Sequence, residues 1–346
     1  MSTSLVAALF SSVLISLLAL PAVAAQQGCN DELIMKARGG WKKGADGNMR
    51  PGPEAAQAII RIDRFSQLLQ AAYPEPKGIQ ARWYRELSDK PSGAGDPMPY
   101  QLIAMFLTYD CNPASPTLLS LAGETAAWFY VFANHLNWFA EEKTFFTIAK
   151  NPAYMLTRKV GEFKGYPLYE GIHNATRNTG TTYSRAIIIT RPGQSPYVPV
   201  TKQQFLRVSL THYEKEKVRS LAAFEGPYPG SNAMKEQWMQ RTSKSFDDRM
   251  KPAQELLGKL SEEEARQPAI VDYKNYLEFT SFTTEEKGGQ MLVRRNPDYF
   301  DAKLPGYVPQ FFVVYWRWYK GKPEENFKNE LEAKLDFTAL QQMIDQ

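Results

Sequence analysis

From Leu5 to Leu20 the chain is apolar apart from Ser11, Ser12 and Ser16, and the run stops at Pro21 before Ala22-Val23-Ala24-Ala25. An apolar core, a breaker and small side chains at a cleavage point are the parts of a secretory leader. Residues 1–25 are therefore read as a signal peptide cut after Ala24 or Ala25, and the mature chain as folding in a periplasmic or extracellular, oxidising compartment. The run falls short of the roughly 20 apolar residues of a membrane span. Met1-Ser2-Thr3-Ser4 carries no Lys or Arg, so the terminal amine alone supplies the leader's positive charge. Gln26-Gln27-Gly28 before Cys29 lacks the upstream apolar residue that lipidation of that cysteine would require.

The compartment gives the two cysteines their meaning. Cys29 and Cys111 both survive cleavage, and an even count in an oxidising environment points to a bridge. It would close a loop of about 80 residues, contribute ~3–5 kcal/mol in the chain-entropy picture, and tie the new N-terminus to the body. No histidine or second cysteine sits at ligand spacing from either, so neither reads as a metal ligand. No cofactor is expected.

Charge narrows the partners. The chain carries 41 basic and 37 acidic side chains, a net charge of +4, mixed along its length. That distribution offers no electrostatic footprint for nucleic acid. After the leader, the most apolar runs, Leu102 to Leu107 and Ala126 to Ala133, are under half a membrane span and read as buried strands. Aromatic residues make up 13%, a composition suited to the half-buried surface of sheets.

Periodicity separates helices from strands. Ala58, Ile62, Phe65, Leu69 and Ala72 follow Pro53 at spacings of four and three, which predicts a helix that Pro74 and Pro76 end. Gln101 to Tyr109, Thr125 to Phe132 and Tyr183 to Thr190 read as strands, the last entering an Arg191-Pro192-Gly193-Gln194 turn. Pro196 and Pro199 confine the returning arm to a sheet edge or to a short extended stretch. Thr201 and Gln204 form a capping box, with Val200 and Phe205 as its hydrophobic staple, predicting a helix over 202–221. Met234, Trp238, Met239, Thr242, Phe246 and Met250 mark another, stopped or kinked near Pro252. Ser261 and Glu264 repeat the box ahead of little more than one turn. Strands return at 277–282, 291–295 and 310–319.

The resulting reading is an α+β protein, largely antiparallel sheets packed with two or three amphipathic helices. Residues 26–200 form an N-terminal α+β unit, and 201–346 a helical segment followed by a β-rich unit, with one continuous domain as the alternative. Pro99-Tyr100-Gln101-Leu102-Ile103 resembles Val308-Pro309-Gln310-Phe311-Phe312, which raises a duplication of two pseudo-repeated units against plain coincidence of strand composition.

The sequence names no chemistry. There is no Gly-x-Ser-x-Gly, His-Glu-x-x-His, Cys-x-x-Cys, phosphate loop or dinucleotide fingerprint. Of three histidines, His212 borders the apolar face of the capped helix. His135 stands at a strand end and His173 in what reads as a polar loop, where sites are often built. The two form a metal or acid–base site only if the fold brings them together near Glu124 or Glu170; otherwise they are plain surface histidines. Asp46-Gly47-Asn48 is a fragment of a calcium loop without its terminal Glu. Carboxylate pairs such as Glu162 and Glu170 leave a glycosidase open.

Asn296 to Pro305, Pro309-Gln310-Phe311, Ser195 to Thr201 and Gly39-Gly40-Trp41 resemble segments of an uncharacterised family of exported, Gram-negative bacterial proteins with no assigned function. The resemblance implies an envelope or secreted location and transfers no active-site residue. The leading expectation is a module binding an unidentified ligand or envelope partner through aromatic loops, with Trp128, His135, Trp138, Tyr169 and His173 as candidate contacts. The alternative is a hydrolase acting on a cell-wall or sugar polymer.

Overall fold

A computed structural model describes residues 30–49, 53–88, 91, 96–112, 115–136, 140–148, 151–174, 181–226, 230–272 and 279–346. Residues 1–29, with the expected leader and Cys29, and Trp138 lie outside them, so the expected cleavage and the Cys29–Cys111 bridge remain expectations.

The strongest sequence period builds the first long element. After a short helix α1 (Asp31–Lys36) and strand β1 (Trp41–Lys43), helix α2 spans Pro53–Ala72. Its five predicted face residues, Ala58, Ile62, Phe65, Leu69 and Ala72, are all buried. Strands β2 (Ile79–Leu87), β3 (Tyr100–Asn112), β4 (Ser115–Leu121), β5 (Ala127–Ala133), β6 (Ala140–Ile148), β7 (Asn151–Leu156), β8 (Arg158–Phe163), β9 (Tyr166–Asn174), β10 (Thr181–Ile189) and β11 (Tyr197–Pro199) follow. Helices α3 (Lys202–Ala222), α4 (Asn232–Leu257) and α5 (Glu262–Arg266) lead to β12 (Ile270–Val271), β13 (Gln290–Arg295) and β14 (Phe312–Tyr319). Helices α6 (Lys322–Lys334) and α7 (Phe337–Gln341) close the chain.

Among the described residues, nine strands form one sheet in the order β1-β2-β3-β5-β14-β10-β9-β8, with β4 on the end of β3. Five form a second, β11-β13-β7-β6 with β12 on β13. Apart from the parallel β1–β2 pair, the pairings are antiparallel. The expected α+β class with largely antiparallel sheets is therefore the observed one. Strand β14 lies between β5 and β10, paired to both along its length. A strand from beyond residue 201 thus completes the sheet begun before residue 200. The two similar segments, at the heads of β3 and β14, likewise share one sheet rather than founding two.

Alternation along the strands divides the core into three layers, because successive side chains leave a strand on opposite faces. Leu102, Ala104 and Phe106 of β3, Phe129 and Val131 of β5, and Val314 and Trp316 of β14 face α2, α6 and α7. Tyr130, Phe132, Val313 and Tyr315 point the other way, toward Tyr154, Leu156 and Val293 of the second sheet. The far side of that sheet, through Met155 and Leu292, meets Phe205 and Leu206 of α3 and Ala253 of α4. The architecture is helix, large sheet, small sheet, helix.

Local signals hold at the predicted caps. Thr201 and Gln204 exchange both bonds of the capping box, and Val200 and Phe205 are fully buried. Ser261 and Glu264 do the same for the five-residue α5. Gly193, at φ 70°, closes the turn after β10 with Gln194 N–H donating to Arg191 O at 3.1 Å. Only a residue without a Cβ tolerates that left-handed conformation cheaply.

Three expectations are corrected. Of the stop or kink expected near Pro252, the stop does not occur: helix α4 runs on to Leu257; Met250 and Ala253 are buried on either side of the proline, and their burial offsets the lost backbone bond. Residues 279–282, expected in a strand, are none: Phe279 and Phe282 pack on Phe205 at ring separations of 5.1 and 5.5 Å from a loop. The chain beyond β14 is helical, where a β-rich end was expected. Pro323 sits in the first turn of α6, while Phe327 and Leu331, four residues apart, are fully buried.

Candidate functional site

The inner face of the large sheet, the one turned to the small sheet, opens at one end into a cleft of about 480 Å³. Register explains its floor. Glu86 of β2 pairs with Gln101 of β3, and Gln101 with Phe132 of β5, so three adjacent strands aim one side chain each to the same side. Neighbouring strands lie about 4.8 Å apart, close enough for Gln101 Nε2 to donate to Glu86 Oε2 at 2.5 Å. Met49, from the segment after β1, and Leu87 add apolar walls.

His135 completes the lining, and Asn134 sets its position. Asn134 is buried in the left-handed region at φ 63°, where asparagine is one of the few side chains found routinely. Its amide donates to Met98 O at 3.2 Å and Val308 O at 3.1 Å, while Oδ1 accepts from Gln310 N at 2.8 Å. The chain leaving β5 is thereby bolted to the approaches of β3 and β14. The His135 imidazole is half-buried beyond this clamp, and desolvation lowers its pKa from 6.5 to about 4. At neutral pH it is uncharged, with one nitrogen donating and the other accepting. This corrects the reading of His135 as a plain surface residue.

Tyr100 closes the cleft toward α2. Its ring stacks on Phe65 at 6.2 Å, and its hydroxyl is buried without a hydrogen-bond partner. Burial pushes that phenol far up, so it is a neutral donor.

The other expected contacts divide. Trp128 is in β5 and Tyr169 in β9, strands rather than loops, both half-buried on the inner face. Burial raises the Tyr169 phenol to about 12. His173, expected in a polar loop, is in strand β9 opposite Thr182. Thr182 in turn faces Tyr319, the last residue of β14, whereas His135 follows Ala133, which faces Phe312, the first. The two histidines therefore stand at opposite ends of the sheet, more than about 20 Å apart along the strands alone at about 3.3 Å per residue, and build no joint site. Glu170 is engaged with Arg185 at 2.6 Å and Glu162 is on the exposed face of β8. Asp46 faces Arg85 at 3.5 Å, which uses the would-be calcium-loop aspartate as an ion-pair partner. Among the described residues no cluster of His, Cys, Asp or Glu could hold a metal ion, and no helix is long and apolar enough to cross a membrane.

Sequence reasoning missed Glu86 because strand β2 went unread, and with it the register that sets Gln101 and Phe132 beside Glu86. Its signal was present: Ile79, Ala81, Trp83 and Leu87 are buried at period two, interrupted by Arg85, which a carboxylate of α2, Asp63, holds at 2.8 Å. Chemically, the cleft offers one carboxylate tied to an amide, one neutral imidazole and apolar walls. That set recognises hydrogen-bonding groups; it lacks, among its described lining, the second carboxylate that glycoside hydrolysis uses. Compared with known family models, curated proteins and solved structures, the chain matches none.

Proposed function

We propose that this chain is an exported ligand-binding module that takes a small, uncharged polar molecule into the cleft at the ends of β2, β3 and β5. The observation that carries the reading is the neutral His135 imidazole lining the same cleft of about 480 Å³ as the Glu86–Gln101 pair. That volume is within the usual range for small-molecule sites, and a few fixed polar groups on apolar walls give orientation rather than turnover. The leader at 1–25, its removal and a Cys29–Cys111 bridge belong to the same proposal, supported by the apolar run and paired cysteine count.

A fragment screen by ligand-observed NMR tests it. Binders of the mature protein should be displaced or lost in Gln101→Leu, which removes the amide but keeps the side-chain volume, and retained in an exposed-surface control such as Lys244→Ala. Turnover of a cell-wall or sugar polymer that disappears in Glu86→Gln would instead establish the hydrolase.

A further inference from the structure

Four residues back along β5 from Phe132, the same inner face carries a second arrangement. Trp128 is opposite Arg317 of β14, and the guanidinium carbon stands 3.8 Å from the centroid of the indole ring. Tyr319 flanks the indole at 6.1 Å. One rung further in, Tyr130 pairs with Tyr315, and both phenols feel the Arg317 charge, which pulls against the rise that burial imposes on them.

Among the described residues this arginine has no anion. Four other partly buried arginines each face a carboxylate: Arg85 with Asp63, Arg185 with Glu170 and Glu332, Arg191 with Asp345, and Arg295 with Asp96. Arg294 reaches a backbone carbonyl. Arg317 makes no ion pair or hydrogen bond to any described residue, and its Nε is buried without a partner. A half-buried guanidinium with an unsatisfied donor is costly, and stacking on an indole offsets only part of that cost. Among the described residues, the fold keeps a cation ready on an aromatic platform and supplies no counter-charge.

We propose that Arg317 on Trp128 is an anion subsite for a carboxylate carried on a flat apolar body. The Nε edge is closed, so the carboxylate meets the two terminal nitrogens end-on, a two-point geometry that guanidinium and carboxylate share. One cation, without a second beside it among the described residues, matches a single negative charge rather than a phosphate. The half-buried Trp128, Met105 and Tyr84, on adjacent strands of this face, offer the apolar surface for the body of the ligand. The subsite is independent of the His135 cleft.

The probe is 2-naphthoate, with 2-naphthylmethanol as its uncharged counterpart, titrated calorimetrically into the mature protein. Naphthoate should bind saturably at one site, at least tenfold more weakly in Arg317→Gln and several-fold more weakly in Arg317→Lys, which keeps the charge but not the two-donor plane. The alcohol should not distinguish wild type from Arg317→Gln. His135→Ala should leave naphthoate affinity unchanged, so loss of the cleft reading and loss of this one are separable. Arg317→Met, which removes the unsatisfied donor, should raise the urea midpoint of the free protein while abolishing naphthoate binding. Absence of saturable naphthoate binding to the wild type, or equal affinity in wild type and Arg317→Gln, overturns the proposal.

Discussion

Replacing His135 with Gln should make stability fall, relative to wild type, as the pH rises from about 4.5 to 7. Two desolvated groups titrate against each other in this protein. His135 has its pKa lowered by desolvation from 6.5 to about 4. Between those values the unfolded chain takes up a proton that the folded chain refuses, so this histidine contributes stability that is complete above 6.5 and lost as pH falls toward 4. Glu324, in the first turn of α6, is raised from 4.5 to about 7, chiefly by burial and then by Asp110, Asp31 and Glu325 nearby. Between those values the folded chain keeps a proton the unfolded chain has released, so its contribution is complete below 4.5 and lost as pH rises toward 7. At about 1.4 kcal/mol per tenfold change in protonation, each amounts to roughly 3 kcal/mol, and across the shared window they oppose each other. The two sites are on different elements with no common partner, so their effects should add. Urea denaturation at fixed ionic strength and pH 4, 5, 6 and 7 would therefore give a shallow profile for wild type, a falling one for His135→Gln and a rising one for Glu324→Gln. Parallel profiles for wild type and His135→Gln, within about 0.5 kcal/mol, would refute the desolvated, neutral histidine.

Asn134→Ala removes three buried hydrogen bonds and leaves a residue with a Cβ at φ 63°; a loss of about 2–4 kcal/mol is expected by chemical denaturation. Phe327→Ala empties the contact between α6 and the large sheet, where the Phe327 and Phe106 rings are 4.0 Å apart, and should cost about 3–5 kcal/mol. Gly39→Ala would drive a Cβ to 1.7 Å from Ile79 O, so it should loosen the β1–β2 edge, seen as faster amide exchange in β1. Intact-mass measurement of exported protein should show loss of residues up to Ala24 or Ala25, and thiol titration of the denatured, unreduced material should find no free cysteine. Retained Met1 or two titrating thiols would refute the leader and the bridge respectively.

Short-range physics was readable without coordinates. The face of α2, the capping boxes at Thr201 and Ser261, the Arg191 to Gln194 turn, and the strands containing Leu102, Val131 and Ile188 each depend on residues within a few positions of one another. Side-chain periodicity and cap chemistry act over that range, so the α+β class followed from the sequence alone. Three kinds of fact did not. Pro252 ends a helix locally but not here, because packing on Ala253 outweighs one lost hydrogen bond. The central place of β14 between β5 and β10 depends on pairings with residues more than 120 positions away, which no window of sequence contains. The candidate sites were invisible for the same reason. Glu86, Gln101 and Phe132 become neighbours only through strand register, and His135 and His173 are parted by it. Trp128, expected in a loop, acquires its meaning from Arg317, nearly 190 residues downstream, and whether an arginine is paired or left waiting for an anion is decided by which strands lie side by side.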